Sequence, residues 1–216
     1  MKDYFGGREE KLVRYLNRVF QPEDAVLKEI RERSVKAGLP EIQVGSMDAL
    51  HLEVLTRAFG AKSAVEIGAL GGYSGTAIAR GLGKGGRLHT FELERRHAEV
   101  AMESFRNARL QDRVILHVGP ALERLPEVEH EAPFDLVFID ADKEGYPAYL
   151  AWAAHHLKIG GVVLADNTFA FGEVVDGRSA GAEAIREFNK ELAQGGRFRA
   201  TLVPTGEGLS LGVKVR

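Results

Sequence analysis

Asp140, Asp166 and Asn167 each stand where a short apolar run stops. Residues 134–140 read as a strand that is almost wholly apolar up to its terminal acid, and residues 162–165 as another that ends at Asp166-Asn167. In open parallel sheets, ligands bind outside the carboxyl ends of the strands. If these two strands are neighbours, two carboxylates and an amide oxygen converge. Three hard oxygen donors without histidine or cysteine suit Mg²⁺ or Mn²⁺, with octahedral positions left for substrate and water. The competing reading is that such acids cap the helix that follows. Lys143 stands three residues beyond Asp140. It is ordinarily a surface residue, but near a divalent cation its ammonium is disfavoured and its amine becomes available as a base.

A second constellation is the stretch AVEIGALGGYSG, residues 64–75. An apolar strand interrupted by Glu66 breaks into Gly68, Gly71, Gly72 and Gly75, with Tyr73 and Ser74 between them. Glycine lets backbone approach a ligand closely, and a helix starting there offers unpaired N–H groups. About twenty residues on, Glu92 ends a second strand, a position from which acids bind ribose hydroxyls. Leu70 occupies the place of the second glycine in the dinucleotide fingerprint. An acid before the first glycine fits S-adenosylmethionine better, because that nucleoside carries an amino group and a sulfonium but no pyrophosphate. Glycine turns also occur in doubly wound sheets that bind nothing.

These groups need an alternating framework to position them, and the chain supplies one. Helical patterns cover residues 9–20, 23–37 and 47–59, the last capped by Ser46, with a short extended piece at 42–45. Basic residues mark the first two: Arg8, Lys11, Arg14 and Arg18, then Lys28, Arg31, Arg33 and Lys36. Acids are interleaved in the second, so a solvated face is the simpler meaning. Strands at 64–67, 87–91, 113–118, 134–140 and 162–165 alternate with helices at 77–82, 95–108, 122–128, 146–157 and 178–193. Strands 199–203 and 209–215 flank Pro204-Thr205-Gly206-Glu207-Gly208 and read as an antiparallel hairpin. The seven histidines are scattered and read as structural. One α/β domain with an antiparallel sheet edge is expected.

Composition narrows the function. The chain has 216 residues, 44% hydrophobic and 28% charged, with formal net charge −2; the pI is about 6.4. Nothing in this balance calls for nucleic acid. No cysteine is present, which excludes disulfides and thiolate metal sites. No apolar run approaches membrane-spanning length and no signal-peptide core is visible, so a cytoplasmic enzyme is expected.

From about Gln43 onward the chain resembles the cation-dependent O-methyltransferases, the group of catechol and caffeoyl-CoA O-methyltransferases and their bacterial relatives. The blocks that carry the resemblance are Glu66-Ile67-Gly68 with Gly72-Tyr73-Ser74, Gly119-Pro120-Ala121, Asp140-Ala141-Asp142-Lys143, Asp166-Asn167 and Gly206-Glu207-Gly208-Leu209, in that order. The resemblance implies a Rossmann-like, class I methyltransferase fold with a seven-stranded sheet in residues 43–216, a helical extension in 1–42, and a homodimer. It implies Asp140, Asp166 and Asn167 as ligands of Mg²⁺ or another divalent cation such as Mn²⁺ or Ca²⁺. It places Val44, Glu66, Gly68, Ala69, Gly72, Tyr73, Ser74, Glu92, Ala121 and Asp140 around S-adenosylmethionine, and gives Lys143 the role of general base beside Asp140. Two departures bear on the acceptor. Met47-Asp48-Ala49-Leu50 lacks the Glu-x-Gly-Gln seen in relatives, and Thr168-Phe169-Ala170-Phe171-Gly172 lacks their tryptophan, leaving Phe169 and Phe171 either to stack on an aromatic acceptor or simply to pack the loop. The expected acceptor is a vicinal diol on an aromatic ring. Hydroxylated tRNA bases are the alternative of another substrate class, supported only by the basic helices. A nicotinamide oxidoreductase or a non-catalytic nucleotide-binding module is the third reading, opposed by Leu70 and the paired acids.

Overall fold

The computed structural model describes residues 10–216. Arg8 and the predicted helix start at Glu9 lie outside them. Helix α1 (Glu10–Phe20) is amphipathic, yet none of its residues is buried. Helix α2 (Ala25–Lys36) is capped by Asp24, whose carboxylate accepts from Leu27 N at 2.9 Å. Helix α3 (Ser46–Ala58) begins at Ser46 itself, with Gly45 as a cap that makes no side-chain bond. Ser46 is therefore a first-turn residue and not the cap that its type suggests.

The alternating framework follows: β1 (Ser63–Ile67), α4 (Tyr73–Gly81), β2 (Arg87–Glu92), α5 (Arg95–Asn107), β3 (Val114–Val118), α6 (Ala121–Arg124), β4 (Phe134–Ile139), α7 (Tyr146–His156), β5 (Leu157–Ala165), α8 (Ala180–Gln194), β6 (Phe198–Val203) and β7 (Leu209–Lys214). Three elements differ from the sequence reading. Helix α4 starts four residues earlier, because Gly72 adopts φ 85° and turns the chain straight into it. The single helix expected at 122–128 is one turn of α6 followed by a 3-10 segment, Leu125–Glu131, with Pro126 in its first turn. Strand β5 starts five residues earlier, since Leu157 already pairs with Phe134 across an irregular register.

The seven strands form one sheet in the order β3-β2-β1-β4-β5-β7-β6. The first five are parallel, and β7 runs antiparallel to both β5 and β6. This is the seven-stranded sheet with its terminal hairpin that the resemblance implies. Alternate residues of the central strands feed two cores. Ala64, Leu136, Phe138 and Leu164 pack with α2–α5, through Ile30, Leu52, Ile78 and Phe105. Val65, Ile67, Val137, Ile139 and Val163 pack with α7 and α8, through Leu150, Ile185 and Phe188. The strand order reverses between β1 and β4, so the crevice at their carboxyl ends is where a ligand is expected.

Candidate active site

Register places the candidate residues. Ile67 is level with Ile139, and Ile139 with Ala165. The ladder continues one step: Asp140 N donates to Ile67 O at 2.9 Å and Asp166 N to Ile139 O at 3.0 Å. Gly68, Asp140 and Asp166 thus lie side by side at one end of the sheet. Gly68 must be glycine there, since it has φ 101° and an added Cβ would collide with the Asp140 carbonyl.

A cavity of about 720 Å³ opens over these ends, within the range that holds drug-sized ligands (~300–1,000 Å³). Val44, Gly68, Ala69, Tyr73, Ser74, Glu92, Ala121, Asp140, Lys143 and Asn167 all line it. Gly72, Glu66 and Asp166 do not. Gly72 faces the Phe105 ring. Glu66 is fully buried behind the wall, its two oxygens accepting from Ser74 and Thr90 hydroxyls at 2.6 Å each. Burial chiefly pushes its carboxyl up to about 7; the two hydroxyls oppose that rise and the charges of Asp140 and Glu92 add to it. Glu92 is held by its surroundings: Oε2 accepts from Leu70 N at 2.7 Å and Oε1 from Glu94 N at 3.0 Å.

At the other end of the cavity Lys143 Nζ donates to Asp140 Oδ1 at 3.2 Å, Ala141 O at 3.1 Å and Tyr146 OH at 2.7 Å. Asp166 is buried and its Oδ1 has no hydrogen-bond partner. Burial, then Asp140, then Asp48, push its carboxyl well above the usual carboxylate range. Asn167 Nδ2 donates to Asp166 Oδ2 at 3.1 Å, and its backbone sits at φ 56°. Among the described residues no cluster of three His, Cys, Asp or Glu side chains is arranged to hold a metal. The set of Asp140, Asp166 and Asn167 fits a cation: an orphaned buried carboxylate oxygen beside a second carboxylate and an amide is a hard-oxygen site short of positive charge.

Two nearby residues carried no sequence signal. His97 lines the cavity and places Nδ1 3.3 Å from Glu92 Oε1; its distance of five positions from Glu92 matches no motif. Asp48 contributes charge at Asp166 from α3, and only the packing of that helix brings it there. Of the two aromatic candidates, Phe171 lines the cavity and is 61% exposed. Phe169 packs instead against Gly208.

Comparison with known proteins bears on the family and the fold. The family described as O-methyltransferase matches residues 18–215. A catechol O-methyltransferase of Mycobacterium tuberculosis is 38% identical over 192 residues, covering 88% of this chain and 87% of that protein. The crystal structure of an O-methyltransferase from Bacillus cereus, in complex with SAH, superposes with TM-score 0.87 at 37% identity, over 93% of this chain and 96% of that one. An O-methyltransferase of Streptomyces achromogenes involved in tomaymycin synthesis, in complex with SAM, superposes with TM-score 0.89 at 32% identity, over 99% and 100%. The match spans nearly the whole chain and includes every strand that carries a site residue: this protein belongs to the O-methyltransferase family.

Proposed function

We propose that this protein transfers a methyl group from S-adenosylmethionine to one hydroxyl of a catechol-like aromatic diol, with a divalent cation at Asp140, Asp166 and Asn167. The observation that carries the reading is the strand-end set itself: Asp140 and Asn167 line the cavity that also holds Glu92, and level with Asp140, just behind the wall, Asp166 keeps a carboxylate oxygen with no hydrogen-bond partner. The SAH and SAM in the structures of the Bacillus cereus and Streptomyces achromogenes relatives support the choice of cofactor.

Each residue has a part. The Glu92 carboxylate, fixed by Leu70 and Glu94 N–H groups, accepts from the ribose hydroxyls. Gly68, Ala69 and Ser74 let the turn approach the amino-acid end, where Asp140 supplies negative charge to the ammonium and Glu66, behind the wall, holds Ser74 in place. Ala121 and Val44 close the sides. A bound divalent cation supplies Lewis acidity that lowers the pKa of the acceptor hydroxyls and fixes their orientation. Lys143 Nζ, held over Asp140, would take the hydroxyl proton after first releasing to solvent one of the three protons it donates here, since a phenol of pKa about 10 is a poor nucleophile at neutral pH. The oxygen attacks the methyl carbon as the sulfonium C–S bond breaks, leaving the thioether S-adenosylhomocysteine. Positioning of the two reactants contributes most of the acceleration.

The proposed assembly is a homodimer, supported by the amphipathic α1, whose Tyr15, Val19 and Phe20 stay exposed. Light scattering behind gel filtration tests it. Among the described residues no helix is long and apolar enough to cross a membrane. The catalytic reading is tested by turnover of a catechol with and without excess chelator, and by thermal unfolding with added Mg²⁺. The wild type should need the cation and gain thermal stability from it, while Asp166→Ala should do neither yet still bind S-adenosylhomocysteine. Full turnover in chelator would refute the metal assignment.

A further inference from the structure

The sequence reading treats the basic residues of the two N-terminal helices as a solvated face. Arg31 does not behave that way. Its Nε donates to Glu23 Oε1 at 2.8 Å and its Nη2 to Tyr73 OH at 3.2 Å. The guanidinium carbon stands 4.9 Å from the centre of the Tyr73 ring. Tyr73 closes the triangle, donating from its hydroxyl to the same Glu23 oxygen at 2.7 Å. Burial and Glu23 push that phenol above its ordinary range, so it stays a neutral donor. The ring is held on one side by stacking and at its tip by two polar partners.

Tyr73 is the first residue of α4 and lines the large cavity. It follows Gly72 and precedes Ser74, whose hydroxyl holds Glu66. The triangle stands between two openings. Tyr73 lines the cofactor cavity, while Glu23 and Arg31, with Asn17, Gln21 and Ser46, line a polar cleft of about 500 Å³. Other contacts tie α2 and its cap to the two ends of α4. Ser34 Oγ fills the space that a Cβ on Gly71 would need, and Arg80 pairs with the cap residue Asp24 at 3.0 Å.

We propose that Glu23 and Arg31 are positioning residues for the cofactor site, acting through Tyr73. They fix the ring and with it the first turn of α4, whose unpaired backbone N–H groups face the amino-acid end of S-adenosylmethionine. A turn ordered in the free protein has less freedom to lose on binding, so affinity rises without any contact between α2 and the ligand. This inference rests on the cofactor reading given above. It makes α2 a support of the cofactor site and gives its Arg31 a role other than meeting nucleic acid.

Calorimetric titration of S-adenosylhomocysteine into wild type, Arg31→Ala, Arg31→Lys, Glu23→Gln and Tyr73→Phe tests it, with thermal unfolding of each ligand-free protein alongside. Arg31→Ala and Glu23→Gln should each bind about tenfold more weakly. Arg31→Lys should recover only part of the loss, because lysine lacks the planar fork and the stacking face. In the Tyr73→Phe background, Arg31→Ala should cost much less than it does alone, since its hydroxyl partner is already gone. Steady-state kinetics should show the defect in KM for S-adenosylmethionine, with kcat nearly intact. Glu23→Gln is isosteric and keeps the test valid if Arg31→Ala fails to fold. Affinity within about twofold of wild type in Glu23→Gln, or equal losses from Arg31→Ala in both backgrounds, would overturn the inference. No binding by the wild type would overturn the cofactor reading beneath it, a distinguishable result.

Discussion

Replacing Glu66 with glutamine should remove a specific pH dependence from the protein's stability. Glu66 is fully buried on β1, and its carboxyl is raised from 4.5 to about 7, chiefly by that burial. In the unfolded chain it titrates near its ordinary value. Between about pH 4.5 and 7 the native protein therefore holds a proton that the unfolded chain has released. Stability from this group is full below 4.5 and is lost as pH rises through 7. The rise corresponds to about 3 kcal/mol, of which about 2.5 kcal/mol falls between pH 5 and pH 8. Glutamine stays neutral throughout. It exchanges an acceptor for a donor opposite the Ser74 or Thr90 hydroxyl, a cost of about 1 kcal/mol that does not vary with pH. Urea unfolding of wild type and Glu66→Gln at pH 5 and pH 8, without cofactor and in chelator, separates the two effects. The stability of the variant relative to wild type should improve by about 2.5 kcal/mol on going to the higher pH. A difference constant to about 0.5 kcal/mol would refute the reasoning, and would mean that water or the neighbouring hydroxyls solvate the carboxylate as well as bulk solvent does.

Three other outcomes are expected. Lys143→Ala should lower kcat by about 10²–10⁴ while S-adenosylhomocysteine affinity holds, with the smallest loss for the most acidic acceptors; a defect in KM alone, measured over phenols of graded pKa, would remove Lys143 from the chemistry. Gly68→Ala should destabilise by at least about 3 kcal/mol, because φ 101° and the Asp140 carbonyl leave no room for a methyl group; a urea midpoint near wild type would contradict that packing. Phe171→Gly should relieve about 1 kcal/mol of left-handed strain at φ 54° and raise KM for aromatic acceptors; an unchanged KM would take the ring out of the acceptor pocket.

The strand ends were legible because parallel strands buried on both faces give apolar runs that stop sharply at an acid or a glycine. That pattern placed Gly68, Glu92, Asp140, Asp166 and Asn167 within a residue of where the ladder sets them. The start of α4 was not legible, since the run Gly71 to Gly75 has poor helix propensity. Tertiary structure overrides it there: Gly72 and Gly75 lie against Phe105 and Glu66, where a Cβ would be too close. The opening of β5 was hidden for a similar reason, because Gly160-Gly161 reads as a turn and only pairing to β4 extends the strand through it. His97, Asp48 and the Glu23–Arg31 pair were missed because they reach the site from helices packed over the sheet or, for Glu23, from the turn that leads into α2. Glu23 and Arg31 are eight positions apart, which is no neighbour spacing on a helix; each meets its partners only across the fold.

The same packing bears on the acceptor. Reading the N-terminal helices as an RNA surface requires cations free to neutralise phosphates. Arg31 and Arg33 are turned inward, to Glu23 and Tyr73 and to Ser104 and Glu103. Arg14 and Lys28 stand against Glu10 and Glu32 one turn away. Such exposed pairs are weak, but each cancels the field that would draw in a polyanion, on a chain whose net charge is already −2. Around the cavity mouth most of the large exposed side chains are apolar, Ile42, Leu93, Leu122 and Phe171, with the acid Glu94 beside them. An apolar rim gains free energy from covering a planar ring and nothing from a phosphate. With Asp140 and Asp142 also facing the cavity, a backbone phosphate brought to Asn167 would meet carboxylates first. On the function proposed above, a small aromatic diol would meet the apolar rim with its ring and the acidic strand ends with its hydroxyls, and that complementarity supports the proposed acceptor over a nucleotide.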